Sequence, residues 1–89
     1  MKTDDDLFLA SQRLADLGFD TSIRGSGLAA FVFSEGNDRA IEISKDDTGF
    51  FIELFEAPHE NSVRDFQQDT IEHSVEQAIA WLQRRDSDF

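Results

Sequence analysis

The sequence predicts a two-layer α+β domain, in which N- and C-terminal helices pack on one face of an antiparallel meander of four to five strands. Three observations support this prediction: helical spacing of apolar residues at both ends of the chain, alternating apolar and polar residues between them, and turn-forming residues that interrupt the alternation. The 89 residues provide one hydrophobic core, so we expect a single domain over residues 1–89. A hydrophobic content of 39% is too high for a disordered acidic tail.

The first segment has the pattern of an amphipathic helix. Thr3 is the expected N-cap, with Asp6 as its partner three residues later, and the neighbouring aspartates suit the positive end of the helix dipole. We therefore interpret the triple aspartate as a helix start and not as a metal cluster. Gly18 is expected to end the helix. The expected apolar face consists of Leu7, Ala10, Leu14 and Leu17, flanked by Phe8.

The middle of the chain alternates in the manner of short strands. We expect four of them, at residues 19–24, 28–33, 39–45 and 50–57. Pro58 ends the run because proline cannot donate to a strand ladder. If the segments between strands are simple turns, Arg24 pairs with Leu28, Phe33 with Arg39, and Lys45 with Phe50. This register gives one apolar core face, made of Phe19, Ile23, Ala29, Phe31, Phe33, Ile41, Ile43, Phe50, Ile52 and Leu54.

The last third of the chain contains one ambiguous segment and one clear helix. Residues 63–70 favour a fifth strand, and a helical turn beginning at residue 61 or 62 is the alternative. Ser74 is expected to cap the final helix, with Gln77 as its partner. Residues 86–89 are expected to form a frayed tail. The expected apolar face of this helix consists of Val75, Ala78, Ile79 and Leu82, with Trp81 at its flank.

Charge excludes several classes of partner. Nineteen acidic residues stand against eight basic ones, for a formal net charge of −11, so we expect no nucleic-acid binding through phosphates and no attraction to anionic membranes. We find no apolar run near the length of a transmembrane helix and no signal-peptide pattern, which favours a cytoplasmic protein. The acidity is open to three interpretations: solubility or adaptation to salt, attraction of a basic partner, or mimicry of a nucleic-acid surface.

The sequence contains no motif that indicates catalysis. It has neither Cys nor Tyr, and residues 25–30 match a dinucleotide-binding pattern without the helix that must follow it. Residues 59–63 begin like a zinc-protease motif but end in Val63, and residues 46–49 are too short for a calcium loop. We therefore predict no catalytic residue, no cofactor and no metal site. The alternative is a small-molecule or metal site that uses His59, His73 and nearby carboxylates.

The predicted register also defines a sheet face that the helices leave uncovered. On this face the glutamates Glu42 and Glu53 are direct neighbours across two strands, and two phenylalanines flank them. Such a surface suggests a non-enzymatic interaction domain of the immunity, inhibitor or chaperone type, which binds a basic protein or forms a homodimer. An accessory domain of an enzyme is a further alternative. The predicted interface consists of Leu28, Val32, Glu42, Phe51, Glu53 and Phe55.

Overall fold

The computed structural model describes residues 5–56 and 62–85, and it confirms the α+β architecture. The chain runs through helix α1, five strands and helix α2, and the strands form one open antiparallel sheet in the order β1-β2-β3-β4-β5. The elements are α1 (Asp5–Asp16), β1 (Asp20–Arg24), β2 (Phe31–Gly36), β3 (Arg39–Asp46), β4 (Gly49–Glu56), β5 (Ser62–Gln68) and α2 (Ile71–Leu82). The predicted cap Thr3 and the predicted tail at residues 86–89 lie outside the described residues.

The hydrophobic core lies between the two helices and one face of the sheet. Three of the four residues predicted for the apolar face of α1 are buried, namely Leu7, Ala10 and Leu14. Leu17 was expected there too but is 51% exposed, because the helix ends at Asp16 and the chain then turns. The sheet and α2 complete the core with Val32, Ile41, Ile43, Phe50, Ile52, Leu54, Ile71, Val75, Ala78, Trp81 and Leu82.

Helix α2 begins earlier than the sequence predicts. Thr70, and not Ser74, is the N-cap: its hydroxyl accepts a hydrogen bond from the backbone N–H of His73 at 3.2 Å. The backbone of Thr70 is still extended, so the helix starts directly after β5 and brings Ile71 into the core. Ser74 is buried inside the helix, where it lies within the first turns instead of preceding them.

The β3–β4 hairpin has the predicted register. Lys45 pairs with Phe50, Ile43 with Ile52, and Glu42 with Glu53. The turn is set by Asp46, whose carboxylate accepts a hydrogen bond from the backbone N–H of Thr48 at 2.9 Å. Residues 62–68 form strand β5 next to β4, so the strand interpretation of this segment is confirmed over the alternative helical turn.

The register predicted for β2 is wrong, and each side chain of the strand therefore lies on the opposite face of the sheet from the predicted one. Asn37 and Asp38 adopt left-handed backbone angles, with φ of 55° and 65°, and they close a two-residue turn that pairs Gly36 with Arg39. This pairing shifts β2 by three residues from the predicted register, and an odd shift moves every side chain to the other face. Val32 is consequently buried in the core, whereas Phe31 and Phe33 lie on the opposite face.

The start of β2 also differs from the prediction. Residues 27–29 form a short 3-10 helix, and the strand begins only at Phe31. Ala29 was expected in the core and is exposed, because it belongs to this 3-10 helix and not to the strand. Ile23 was expected there as well but is 40% exposed, since β1 forms the edge of the sheet and has only β2 as a neighbour.

The C-terminal end of α2 is fastened to the β2–β3 hairpin. The side-chain amide of Asn37 donates to the carbonyl O of Leu82 at 2.7 Å, and Nη1 of Arg39 donates to the carbonyl O of Trp81 at 3.2 Å. The Arg39 guanidinium also stacks over the Trp81 ring at 3.8 Å. The last helical carbonyls are thus satisfied from a distant part of the chain.

Candidate interaction face of the sheet

The open face is defined here as the side of the sheet opposite the two helices. Residues paired directly across antiparallel strands point to the same side, so the register sorts this face into three rows. The upper row contains Asp20, Glu35, Ala40 and Phe55. The middle row contains Ser22, Phe33, Glu42, Glu53 and Asp65. The lower row contains Arg24, Phe31, Ser44, Phe51 and Gln67.

Four phenylalanines provide the apolar part of the open face: Phe31, Phe33, Phe51 and Phe55. All four are half-buried, so each presents part of its ring to the surface while the rest packs against neighbours on the sheet. The Arg24 guanidinium lies over the ring of Phe33, 4.1 Å from its centroid. The face therefore already holds one arginine on an aromatic ring.

Three carboxylates lie side by side in the middle row. Glu53 on β4 is paired with Glu42 on β3 and with Asp65 on β5. Partial burial raises the pKa of Glu42 above its ordinary value, the charge of Glu53 raises it further, and the charge of Arg24 acts in the opposite direction. Like charges that face each other directly across strands are destabilising. The row therefore carries an electrostatic cost that a cation would relieve.

The structure places four of the six predicted interface residues on the open face: Glu42, Phe51, Glu53 and Phe55. Val32 is a correction, because it is fully buried beneath the helices. Leu28 is not in a strand, since it belongs to the 3-10 helix that precedes β2.

Sequence reasoning missed Phe31 and Phe33, which it assigned to the core. The signal that identifies them is the Asn37-Asp38 pair, since asparagine and aspartate are among the residues that tolerate the left-handed angles of a two-residue hairpin.

The other chemical motifs have structural roles in the described residues. After residues 25–30 the chain continues into strand β2 and not into an α-helix, so the geometry of a dinucleotide site is not formed. The Asp46 carboxylate accepts hydrogen bonds from the backbone and hydroxyl of Thr48 and from Gln67, and these bonds lower its pKa. They make Asp46 a turn residue that also ties β5 to the β3–β4 hairpin.

The described residues include one of the two histidines of the alternative metal site. His73 is exposed in the first turn of α2, and His59 lies outside the described residues. Across residues 5–56 and 62–85, no three side chains of the metal-binding types cluster closely enough to hold an ion.

The fold defines the class of this protein as a two-layer α+β domain with both helices on one face of a five-stranded antiparallel meander. Comparisons with protein-family models, curated proteins and solved structures find no match to the chain. Neither helix in the described part of the chain is long and apolar enough to cross a membrane.

Proposed function

We propose that this chain is a non-enzymatic interaction domain that binds a basic protein through the open face. The observation that supports the proposal is the composition of that face, where four half-buried phenylalanines lie within and beside the row that holds three carboxylates. Aromatic side chains are enriched in protein interfaces because they give a large contact area at a low cost in conformational entropy. The domain would then act in the manner of an immunity protein, an inhibitor or a chaperone, by binding its partner and not by catalysis.

The size of the open face suits a modest interface. Five strands span about 19 Å from edge to edge, and the eight residues of β3 or β4 extend about 27 Å. The flat area is therefore roughly 500 Å² per partner, below the roughly 800 Å² of a standard interface. We expect an interaction of moderate affinity that depends strongly on electrostatic attraction.

Charge on the open face favours a basic partner over a second copy of the chain. Among the described residues, the register places six carboxylates and one guanidinium, that of Arg24, on this face. A symmetric dimer through this face would bring two negative surfaces together, which costs free energy. A basic protein gains from the same field both in its rate of encounter and in the stability of the complex. The carboxylates are Asp20, Glu35, Glu42, Asp46, Glu53 and Asp65.

The proposal is tested by removing the aromatic contacts. We would compare the wild type with a Phe51→Ser/Phe55→Ser variant and with a control, Phe8→Ser, which removes an exposed phenylalanine from α1. Proteins captured by each form are identified by mass spectrometry, and the captured partner is then purified and titrated by calorimetry at low and high salt. We expect the wild type and the control to bind a basic protein, the double variant to lose it, and high salt to weaken the binding.

Three results would contradict the proposal. The first is an unchanged partner and affinity in a double variant whose circular dichroism shows that it is folded. The second is an affinity that does not depend on salt. The third is a concentration-dependent dimer of the wild type that the double variant abolishes, which would identify a second copy as the occupant. If the double variant does not fold, Glu53→Arg reverses the charge of the middle carboxylate in the row and tests the same binding.

A further inference from the structure

Glu53 lies on β4, next to the edge strand β5, and has a ring or a carboxylate on every side of it on the open face. Phe51 and Phe55 precede and follow it on the same side of β4, about 7 Å away along the strand. Glu42 and Asp65 face it from the neighbouring strands, about 5 Å away. A group bound to Glu53 therefore has an aromatic residue next to it in either direction along the strand and carboxylates across it.

The rings and carboxylates around Glu53 suit the two ways in which a guanidinium group binds. Guanidinium is planar, stacks on aromatic faces and donates two parallel hydrogen bonds to a carboxylate, whereas the ammonium of lysine is a compact and strongly hydrated charge. The open face already shows the first mode within the chain, because Arg24 stacks on Phe33 at 4.1 Å. Arg24 lies on β1, three strands away from β4, and is too far from the rings beside Glu53 to stack on them. A cation from a partner can therefore stack there.

Within the described residues, the one cation that acts on the carboxylate row is Arg24, which attracts Glu42 but lies on β1, far from Glu53 and Asp65. The ion pairs Arg39–Glu56 and Lys45–Asp6 do not include a member of this row. Lys45 lies on the core side of β3, as its pairing with Phe50 shows. The positive charge that relieves the row is therefore best supplied by a partner.

We infer that the open face binds an arginine side chain of its partner, with the guanidinium on Glu53 and stacked on one of the adjacent rings, Phe51 or Phe55. This inference rests on the proposed function and specifies the chemistry that the partner must present. Phe31 and Phe33 then contact the apolar surface around that arginine. Glu42 and Asp65 add charge attraction but do not distinguish arginine from lysine.

The inference is tested with two probes of equal length and charge, hexa-arginine and hexa-lysine peptides. Each is titrated into the full chain while backbone amide shifts are followed by NMR. We expect both peptides to shift amides of β3 and β4 around Glu42 and Glu53, and hexa-arginine to bind at least about threefold more tightly. The preference follows from stacking and paired hydrogen bonds, which lysine does not form.

Two matched pairs of variants separate a specific site from general attraction. Glu53→Gln is compared with Glu76→Gln, which removes the same charge from an exposed position on α2. We expect Glu53→Gln to weaken hexa-arginine binding about fivefold and Glu76→Gln to change it less than twofold. Phe51→Leu/Phe55→Leu is compared with Phe8→Leu, and only the former is expected to erase the preference for arginine, because leucine is apolar but has no aromatic face.

The outcomes distinguish this inference from the function on which it rests. Equal affinities for the two peptides, with shifts on the open face, would overturn the arginine anchor and leave a basic partner in place. Equal effects of Glu53→Gln and Glu76→Gln would show only general attraction and would also overturn the anchor. Shifts confined to α1 or α2 would overturn both, because the open face would then not be the surface that attracts cations.

Discussion

Glu42 is the residue whose raised pKa shows that the carboxylates of the open face destabilise the folded state. Its carboxylate is partly withdrawn from water and faces Glu53, and together these effects outweigh the attraction of Arg24 and raise the pKa. A carboxyl whose pKa is higher in the folded than in the unfolded state binds its proton more tightly when folded. Its contribution therefore lowers stability as the pH rises from the ordinary value of 4.5 through the folded pKa, and the cost is complete above that range.

We predict that Glu42→Gln stabilises the protein at pH 7. The gain is expected to be roughly a few tenths of a kcal/mol, the size of a cross-strand pair, and to be smaller at pH 4, where the wild-type carboxyl is more protonated. Urea unfolding of both proteins at the two pH values measures it. Glu76→Gln provides the control, because it relieves the same overall negative charge away from the sheet. A gain at pH 7 no larger than that of the control would show that Glu42 carries no local cost.

At the scale of elements, Asn37 has two structural roles in the β2–β3 hairpin. Its left-handed backbone closes the two-residue turn, and its side-chain amide donates to the carbonyl O of Leu82 at the end of α2. The turn sets the register of β2, and hence the side on which Phe31 and Phe33 lie. The hydrogen bond fixes the position of the helix on the other side of the sheet.

Two substitutions at Asn37 are predicted to separate these roles. Asn37→Gly keeps the backbone angle accessible and loses only the hydrogen bond, so we expect a loss of about 1 kcal/mol in the free energy of unfolding. Asn37→Ala loses the bond and also places a Cβ in the left-handed region, which adds about 1 kcal/mol. Denaturant unfolding measures both. Equal stabilities of the two variants would contradict the role of the backbone angle.

The sequence was sufficient to predict β3 and β4 but not β2. The segment 46–49 joins two strongly alternating strands, and it is short enough to allow only one turn. The sequence therefore assigned Glu42, Glu53, Phe51 and Phe55 to the correct face. Four of the five residues in the segment 34–38 favour turns, whereas the turn itself occupies only Asn37 and Asp38.

The alternation of apolar and polar residues in β2 also gave the wrong face, because a polar residue of this strand lies in the core. Ser34 is buried and shares a hydrogen bond with the hydroxyl of Thr21 at 2.7 Å. That partner compensates the cost of burying a hydroxyl, and it lies on another strand, where no local pattern reveals it. The same holds for the contacts of Asn37 and Arg39 with the end of α2, which join residues more than forty positions apart.

At the scale of the whole molecule, the two-layer architecture follows from patterns that local errors do not disturb. Amphipathic helices at both ends and alternating strands between them require one shared apolar layer, whichever way β2 faces. The cost at this scale is electrostatic. A net charge of −11 is held on a molecule whose radius of gyration is 12.0 Å, close to the screening length of about 10 Å at 0.1 M salt. Below that concentration most of the surface charges repel one another.

We predict that salt stabilises the fold while it weakens binding to the partner. Raising NaCl from about 10 mM to about 500 mM shortens the screening length from about 30 Å to about 4 Å, so the repulsion within the folded state falls. A gain of about 1 kcal/mol corresponds to a rise in Tm of about 4–8 °C for a domain of this size, measurable by calorimetry. KCl should give the same rise, which excludes a specific sodium site, and an unchanged Tm would show that self-repulsion is not a significant cost. Because attraction to a basic partner is screened over the same range, affinity should fall as Tm rises, whereas a contact held by apolar burial alone would not weaken.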